Sequence, residues 1–136
     1  MSTPILVQPH PDHPYRLETD SSDYATGAVL SQLGTDDKWH PVGFYSKGLS
    51  EVERNYPIHD KELLSVIRGL QEWWHLLEGA RHKFEILNDH RNLVYFTTAQ
   101  NLNRRQARWS LYLSRFDFQL IHRASKKSGR PDALWR

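Results

Sequence analysis

The 136-residue chain is 38% hydrophobic and 25% charged, long enough for one domain with a real core and too short for two. No apolar run approaches the roughly 20 residues of a membrane span, and the start, Met1-Ser2-Thr3-Pro4, lacks the charged and apolar regions of a signal peptide. The absence of cysteine excludes disulfides and thiolate zinc sites and fits a reducing compartment.

The net charge of +2 conceals an asymmetry. Residues 1–80 carry 6 Lys+Arg against 12 Asp+Glu, a net −6, whereas residues 81–136 carry 12 against 4, a net +8. Solvated surface explains such a split, and so does a nuclease, which needs carboxylates for cations and a separate basic surface for phosphates.

In chain order, residues 1–14 hold four of the seven prolines and read as an extended linker outside the fold. His10 and His13 are three apart, but Pro11 and Pro14 argue against a helix that would aim both one way. Residues 15–20, 24–33 and 38–46 read as three strands of an antiparallel meander, with Gly34-Thr35-Asp36-Asp37 as the second turn. Pro41 makes the third strand an edge strand or demands a bulge. Ser50-Glu51-Val52-Glu53 has the form of a capping box that starts a short turn. Pro57 then opens a long helix whose stripe is Leu63, Ile67, Leu70, Trp74 and Leu77, with Gly79 as its stop.

Residues 83–88 read as a fourth strand ending at Asp89. A strand–helix–strand crossover makes it parallel to the first. Residues 103–116 form a second long helix with an apolar face of Trp109, Tyr112, Leu113 and Phe116. Its first turns carry Arg104, Arg105 and Arg108, against the preference of the helix dipole, which hints at a polyanionic partner. Phe118 to Arg123 read as a fifth strand, residues 124–130 as a basic loop, and Pro131 begins a last helix or turn. No glycine-rich phosphate loop and no nucleophilic triad stands out.

Alternation along the first strand puts Tyr15, Leu17 and Thr19 on one face and Arg16, Glu18 and Asp20 on the other. Asp20 at the strand end either caps the corner or holds a metal. Glu62, alone, is an acid favourably near a helix N-terminus. Asp20, Glu62, Asp89 and Asp132 together converge on one edge of the sheet in this topology. Four crowded carboxylates repel. Two divalent cations ~4 Å apart would neutralise them and support in-line phosphodiester hydrolysis.

The stretches Leu17–Gln32, Glu53–Leu64, Asn88–Leu93, Asn103–Trp109 and Pro131–Leu134, in that order, resemble the RNase H domain of gypsy-type (Metaviridae) LTR-retrotransposon reverse transcriptases over roughly residues 15–136. The resemblance implies an α/β RNase H-like fold. That is a five-stranded mixed sheet, an antiparallel three-strand meander plus two parallel strands, with helices on both faces. It implies hydrolysis of the RNA strand of RNA–DNA hybrids with two Mg²⁺ ions, Mn²⁺ substituting, held by Asp20, Glu62, Asp89 and Asp132. His122, ten residues before Asp132, takes a part in proton transfer or product release on this reading, and is otherwise a strand residue. Nucleic-acid contacts are expected at Ser22, His90, Asn92, Arg104, Arg105, Arg108, Lys126 and Lys127.

Residues 1–14 then resemble the end of the linker from a covalently attached polymerase domain. The expected setting is a cytoplasmic virus-like particle, with no membrane partner and a monomeric isolated domain. Asn88 stands where the family usually has Thr, and Trp135 where it usually has Ser. The competing readings are a non-catalytic binding or spacer domain on the same fold, which would lack the acids, and a related nuclease or integrase, against which the position of Glu62 argues.

Overall fold

The computed structural model describes residues 5–88 and 102–122, and of His122 only its place in a strand. Strands β1 (Tyr15–Ser21), β2 (Ala25–Leu33) and β3 (Trp39–Gly48) form the antiparallel meander. Alternation is the cause: Tyr15, Leu17 and Thr19 are buried on one face, while Asp20 is exposed. The β2–β3 turn closes by the Gly34 N–H donating to the Lys38 carbonyl at 2.8 Å, with Asp37 in the left-handed region at φ 63°. Pro41 meets both accommodations open to it. β3 is an edge strand, and its register slips so that Leu30 pairs with Gly43 but Ser31 with Pro41, leaving Val42 as the extra residue of a bulge.

Helix α1 (Glu51–Arg54) is the expected short turn, with both halves of the Ser50/Glu53 capping box made. The Glu53 carboxylate also receives Arg68 Nη2 at 2.7 Å, and Arg68 Nη1 donates to Thr26 Oγ1 at 3.0 Å. Burial pushes Glu53 upward, but the Ser50 N–H and the Arg68 charge outweigh it and hold the carboxyl below its ordinary value.

Helix α2 (Ile58–Glu72) begins after Pro57 and lies on β1 and β2. It buries Leu63, Val66, Ile67 and Leu70, each contributing roughly 1.5–3 kcal/mol by area removed from water. Its stripe does not run on as expected. The helix ends at Trp73 (φ −120°), and the short α3 (Trp74–Leu77) restarts with a shifted phase. Trp73 is therefore buried, its indole against Gly43, and Trp74 is 52% exposed. Leu77 returns to the core and Gly79, at φ 85°, stops the segment.

Strand β4 (Phe84–Asn88) pairs parallel with β1, Leu17 opposite Ile86 and Glu18 opposite Leu87. Helix α4 (Arg104–Leu113) leads to β5 (Phe118–His122), which pairs parallel with β4. The sheet order is β3-β2-β1-β4-β5. Leu113 and Phe116, at and just beyond the end of α4, join Phe84, Ile86 and the α2 stripe in one core, so both long helices cover the same sheet face. The last helix or turn expected at Pro131 lies outside the described residues, as does Arg123, the expected last residue of the fifth strand.

The segment read as a linker is in contact with the fold from Val7 onward. Gln32, on β2, accepts the His10 N–H at 2.7 Å and donates to the carbonyls of His10 and His13 at 2.6 and 2.9 Å. Val7 N–H bonds the Pro41 carbonyl on the edge strand, and Leu33 N–H bonds that of Pro14. Proline-rich composition describes a chain that makes few bonds with itself. It does not reveal that Gln32 supplies the partners. His10 and His13 point the same way without a helix, their rings stacked with centroids 4.2 Å apart.

Candidate active site

Asp20 lies at the C-terminal end of β1, exposed, with Oδ1 accepting the Ser21 N–H at 2.9 Å. It lines a 650 Å³ cleft with Glu18, Val29, Phe44 and Ser46, on the sheet face turned away from α2. The corner after it is fixed by Ser22, whose hydroxyl accepts from the N–H groups of Tyr24 and Ala25 at 3.2 and 3.1 Å. Ser22 thus shapes the turn that presents Asp20, and remains exposed. Lys61 Nζ stands 3.7 Å from Asp23 Oδ1 and draws α2 toward the same corner.

Glu62, on the second turn of α2, is 7% exposed. Its Oε1 lies 3.5 Å from Asn88 Nδ2, which donates to Thr19 Oγ1 at 2.8 Å and Thr19 O at 3.3 Å. This chain of contacts ties the Glu62 carboxylate to Thr19, the residue before Asp20 in β1. Asn88 is the last residue of β4 and directly precedes Asp89 in the chain. Sequence reasoning noted Asn88 only as a departure from a pattern. A polar residue at the last position of a buried parallel strand was the signal to read further.

Asp89, His90, Asn92, Lys126, Lys127 and Asp132 lie outside the described residues, and of His122 only the position at the end of β5 is described. Among the described residues no group of three or more His, Cys, Asp or Glu could hold a metal, since the described part of the set is Asp20 and Glu62. Both offer hard oxygen donors, the type that suits Mg²⁺.

The three arginines of α4 part company. Arg104 and Arg108 are exposed. Arg105 turns inward to an ion pair with Asp60, a carboxylate with 0% exposure, while Gln106 Nε2 donates to the other Asp60 oxygen at 2.9 Å. The Arg105 guanidinium also lies 3.9 Å from the centroid of the Tyr56 ring. Arg105, expected at the nucleic acid, thus has a partner inside the fold: a fully buried carboxylate needs a paired charge, and Arg105 supplies one. The α4 N-terminus tolerates its arginines because Asn103 and Gln106 form a full capping box, which sequence reasoning missed although Asn-x-x-Gln was legible.

Comparison with known proteins agrees with this architecture. Residues 10–116 match the family model described as the RNase H-like domain found in reverse transcriptase, and the chain belongs to that family. The chain is 47% identical over 122 residues to the Transposon Tf2-3 and Tf2-4 polyproteins of Schizosaccharomyces pombe, with 88% of the chain aligned. It spans only 9% of the length of those polyproteins.

By structure, the chain resembles the foamy viral protease-reverse transcriptase in its complex with an RNA/DNA hybrid (TM-score 0.64, 15% identity, 86% of this chain and 16% of that one). It also resembles RNase H1 from Halobacterium salinarum (TM-score 0.55, 17% identity, 90% of this chain and 92% of that one). At such identities the likeness concerns the fold alone.

Proposed function

We propose that the chain is a ribonuclease H: a divalent-metal-dependent endonuclease for the RNA strand of RNA–DNA hybrids, acting during retrotransposon reverse transcription. The observation that carries the reading is that Glu62 is tied through Asn88 to Thr19, the residue next to Asp20 at the C-terminal end of β1, in a chain of this family. Asp89 and Asp132 complete the ligand set on this proposal. Two bound Mg²⁺ ions, or Mn²⁺ in their place, would supply an activated water and stabilisation of the leaving oxygen. The protein's part is to fix its carboxylates before the ions arrive. The Ser22 turn and the Lys61–Asp23 pair hold the Asp20 corner, and Asn88 meets Glu62. His122 is proposed to assist proton transfer.

Substrate contacts are proposed at Ser22, His90, Asn92, Arg104, Arg108, Lys126 and Lys127. The upstream polymerase domain, joined through residues 1–14, would enter along the β3 edge, where Val7 bonds Pro41. The cytoplasmic virus-like particle is the proposed setting. Among the described residues no helix is long and apolar enough to cross a membrane.

With Arg105 committed to Asp60, Arg104, Arg108, Lys126, Lys127 and Arg130 remain for phosphates. If about four or five of them engage, hybrid affinity falls by roughly 10² to 10³ between 50 and 200 mM salt. A fluorescence-anisotropy titration at several salt concentrations measures the slope, and a flat response contradicts this basic surface.

The functional reading is tested by incubating the chain and Mg²⁺ with end-labelled RNA–DNA, DNA–DNA and RNA–RNA duplexes. Against the DNA duplex, only the RNA strand of the hybrid should be cut, since DNA lacks 2′-hydroxyls and the hybrid presents them across a wide minor groove; the RNA–RNA duplex tests whether the DNA strand is also required. Binding without cutting would mark a spacer domain, and equal cutting of DNA–DNA a different nuclease.

A further inference from the structure

We propose that Asn88 is a positioning residue for the Glu62 carboxylate: its side-chain amide ties Glu62 to the end of β1 and so sets one ligand of the metal centre. The inference rests on the metal-nuclease reading above and deepens it.

Asn88 is 1% exposed, and its amide faces two different elements. The Thr19 carbonyl oxygen only accepts, so the atom 3.3 Å from it is the amide nitrogen, not the amide oxygen. That nitrogen carries two hydrogens. One serves Thr19, whose Oγ1 is at 2.8 Å, and Glu62 Oε1 lies 3.5 Å from the same nitrogen. The 3.5 Å separation is long for a resting hydrogen bond and shortens readily once the carboxylate is drawn toward a cation. A threonine here has a single O–H, so it can donate to Thr19 or to Glu62 and not to both. Asn88 therefore donates to both β1 and the α2 ligand, which a single hydroxyl cannot do. A buried carboxylate held in one rotamer loses less freedom when it ligates, and partners of this kind change metal affinity by about 10–100-fold when removed.

The test is a calorimetric titration of the chain with Mn²⁺, beside thermal melting in EDTA, for the wild type, Asn88→Thr, Glu62→Gln and the double variant. Asn88→Thr should weaken Mn²⁺ binding by about 10-fold or more while melting in EDTA near the wild-type temperature. Added to Glu62→Gln, the same change should weaken binding no further, because its effect passes through that carboxylate. Thr19→Val is the second variant. It removes the hydroxyl that anchors Asn88, leaves both acids in place, and should weaken Mn²⁺ binding in the same sense. Wild-type affinity in both Asn88→Thr and Thr19→Val, or an equal loss with Glu62 present and absent, overturns the positioning role alone. A wild-type chain that binds no Mn²⁺ overturns the metal-nuclease reading together with it.

Discussion

Asp20→Asn is expected to slow hydrolysis of the RNA strand by about 10³-fold or more while leaving the fold intact. A metal ligand contributes several kcal/mol of transition-state stabilisation, and each ~1.4 kcal/mol is tenfold in rate. The fold has little stake in the charge. Asp20 is exposed at the end of β1, and its one recorded bond is the Ser21 N–H on Oδ1, which an asparagine oxygen accepts equally well. On the proposed clustering of the acids, removing one like charge relieves repulsion, so melting in EDTA should be unchanged or slightly raised. Single-turnover cleavage and thermal melting measured on the same preparation check both halves. Near-normal cleavage by a folded variant removes Asp20 from the centre.

The largest effect on stability is expected at Arg105→Ala. Asp60 has no exposure, and its carboxylate is held by Arg105 on one oxygen and Gln106 on the other. Truncating the arginine leaves the buried charge with only Gln106 and the His59 ring, its Nε2 3.7 Å from Oδ1, which costs about 3–5 kcal/mol. The stacking on Tyr56 is lost with it. For a domain of this size the melting temperature should fall by roughly 10–20 °C. Asp60→Asn combined with Arg105→Ala should recover much of the loss, because the desolvated charge is gone. The melting temperatures of the three variants decide it, and an Arg105→Ala shift of only a degree or two means the pair is solvated. Arg104→Ala, on the exposed side of α4, should melt like the wild type and lose hybrid affinity instead.

These two arginines show where a sequence speaks and where it falls silent. The strands were legible because Tyr15, Leu17 and Thr19 alternate with polar neighbours, and the crossover through α2 made β4 parallel to β1. Ser50, Pro57 and Gly79 marked helix ends through local chemistry that needs no distant partner. Arg105 was read as a basic surface residue because its counter-charge, Asp60, is 45 positions away. Trp73 and Trp74 exchanged roles because the helical phase shifts at the end of α2, where a stripe of steps of three and four assumes an unbroken helix. The docking of residues 7–14 depends on one side chain, Gln32, that composition does not single out. Of the site, the acids were legible as a set of residue types in a family's order. The bridge through Thr19 and Asn88 was not, since it forms only once β1, β4 and α2 are assembled.

If the acidic set is the seat of metal-dependent hydrolysis, cutting requires both the acids and the ion. The most direct measurement is cleavage of an end-labelled RNA–DNA hybrid across a Mg²⁺ titration that begins in EDTA. The wild-type chain is compared with the variant carrying Asp20→Asn, Glu62→Gln, Asp89→Asn and Asp132→Asn. The account predicts that the wild type cuts the RNA strand only with Mg²⁺ present, to a saturating rate, and that the quadruple variant cuts at no concentration. Cleavage by the wild type in EDTA, or by the quadruple variant with Mg²⁺, would contradict it.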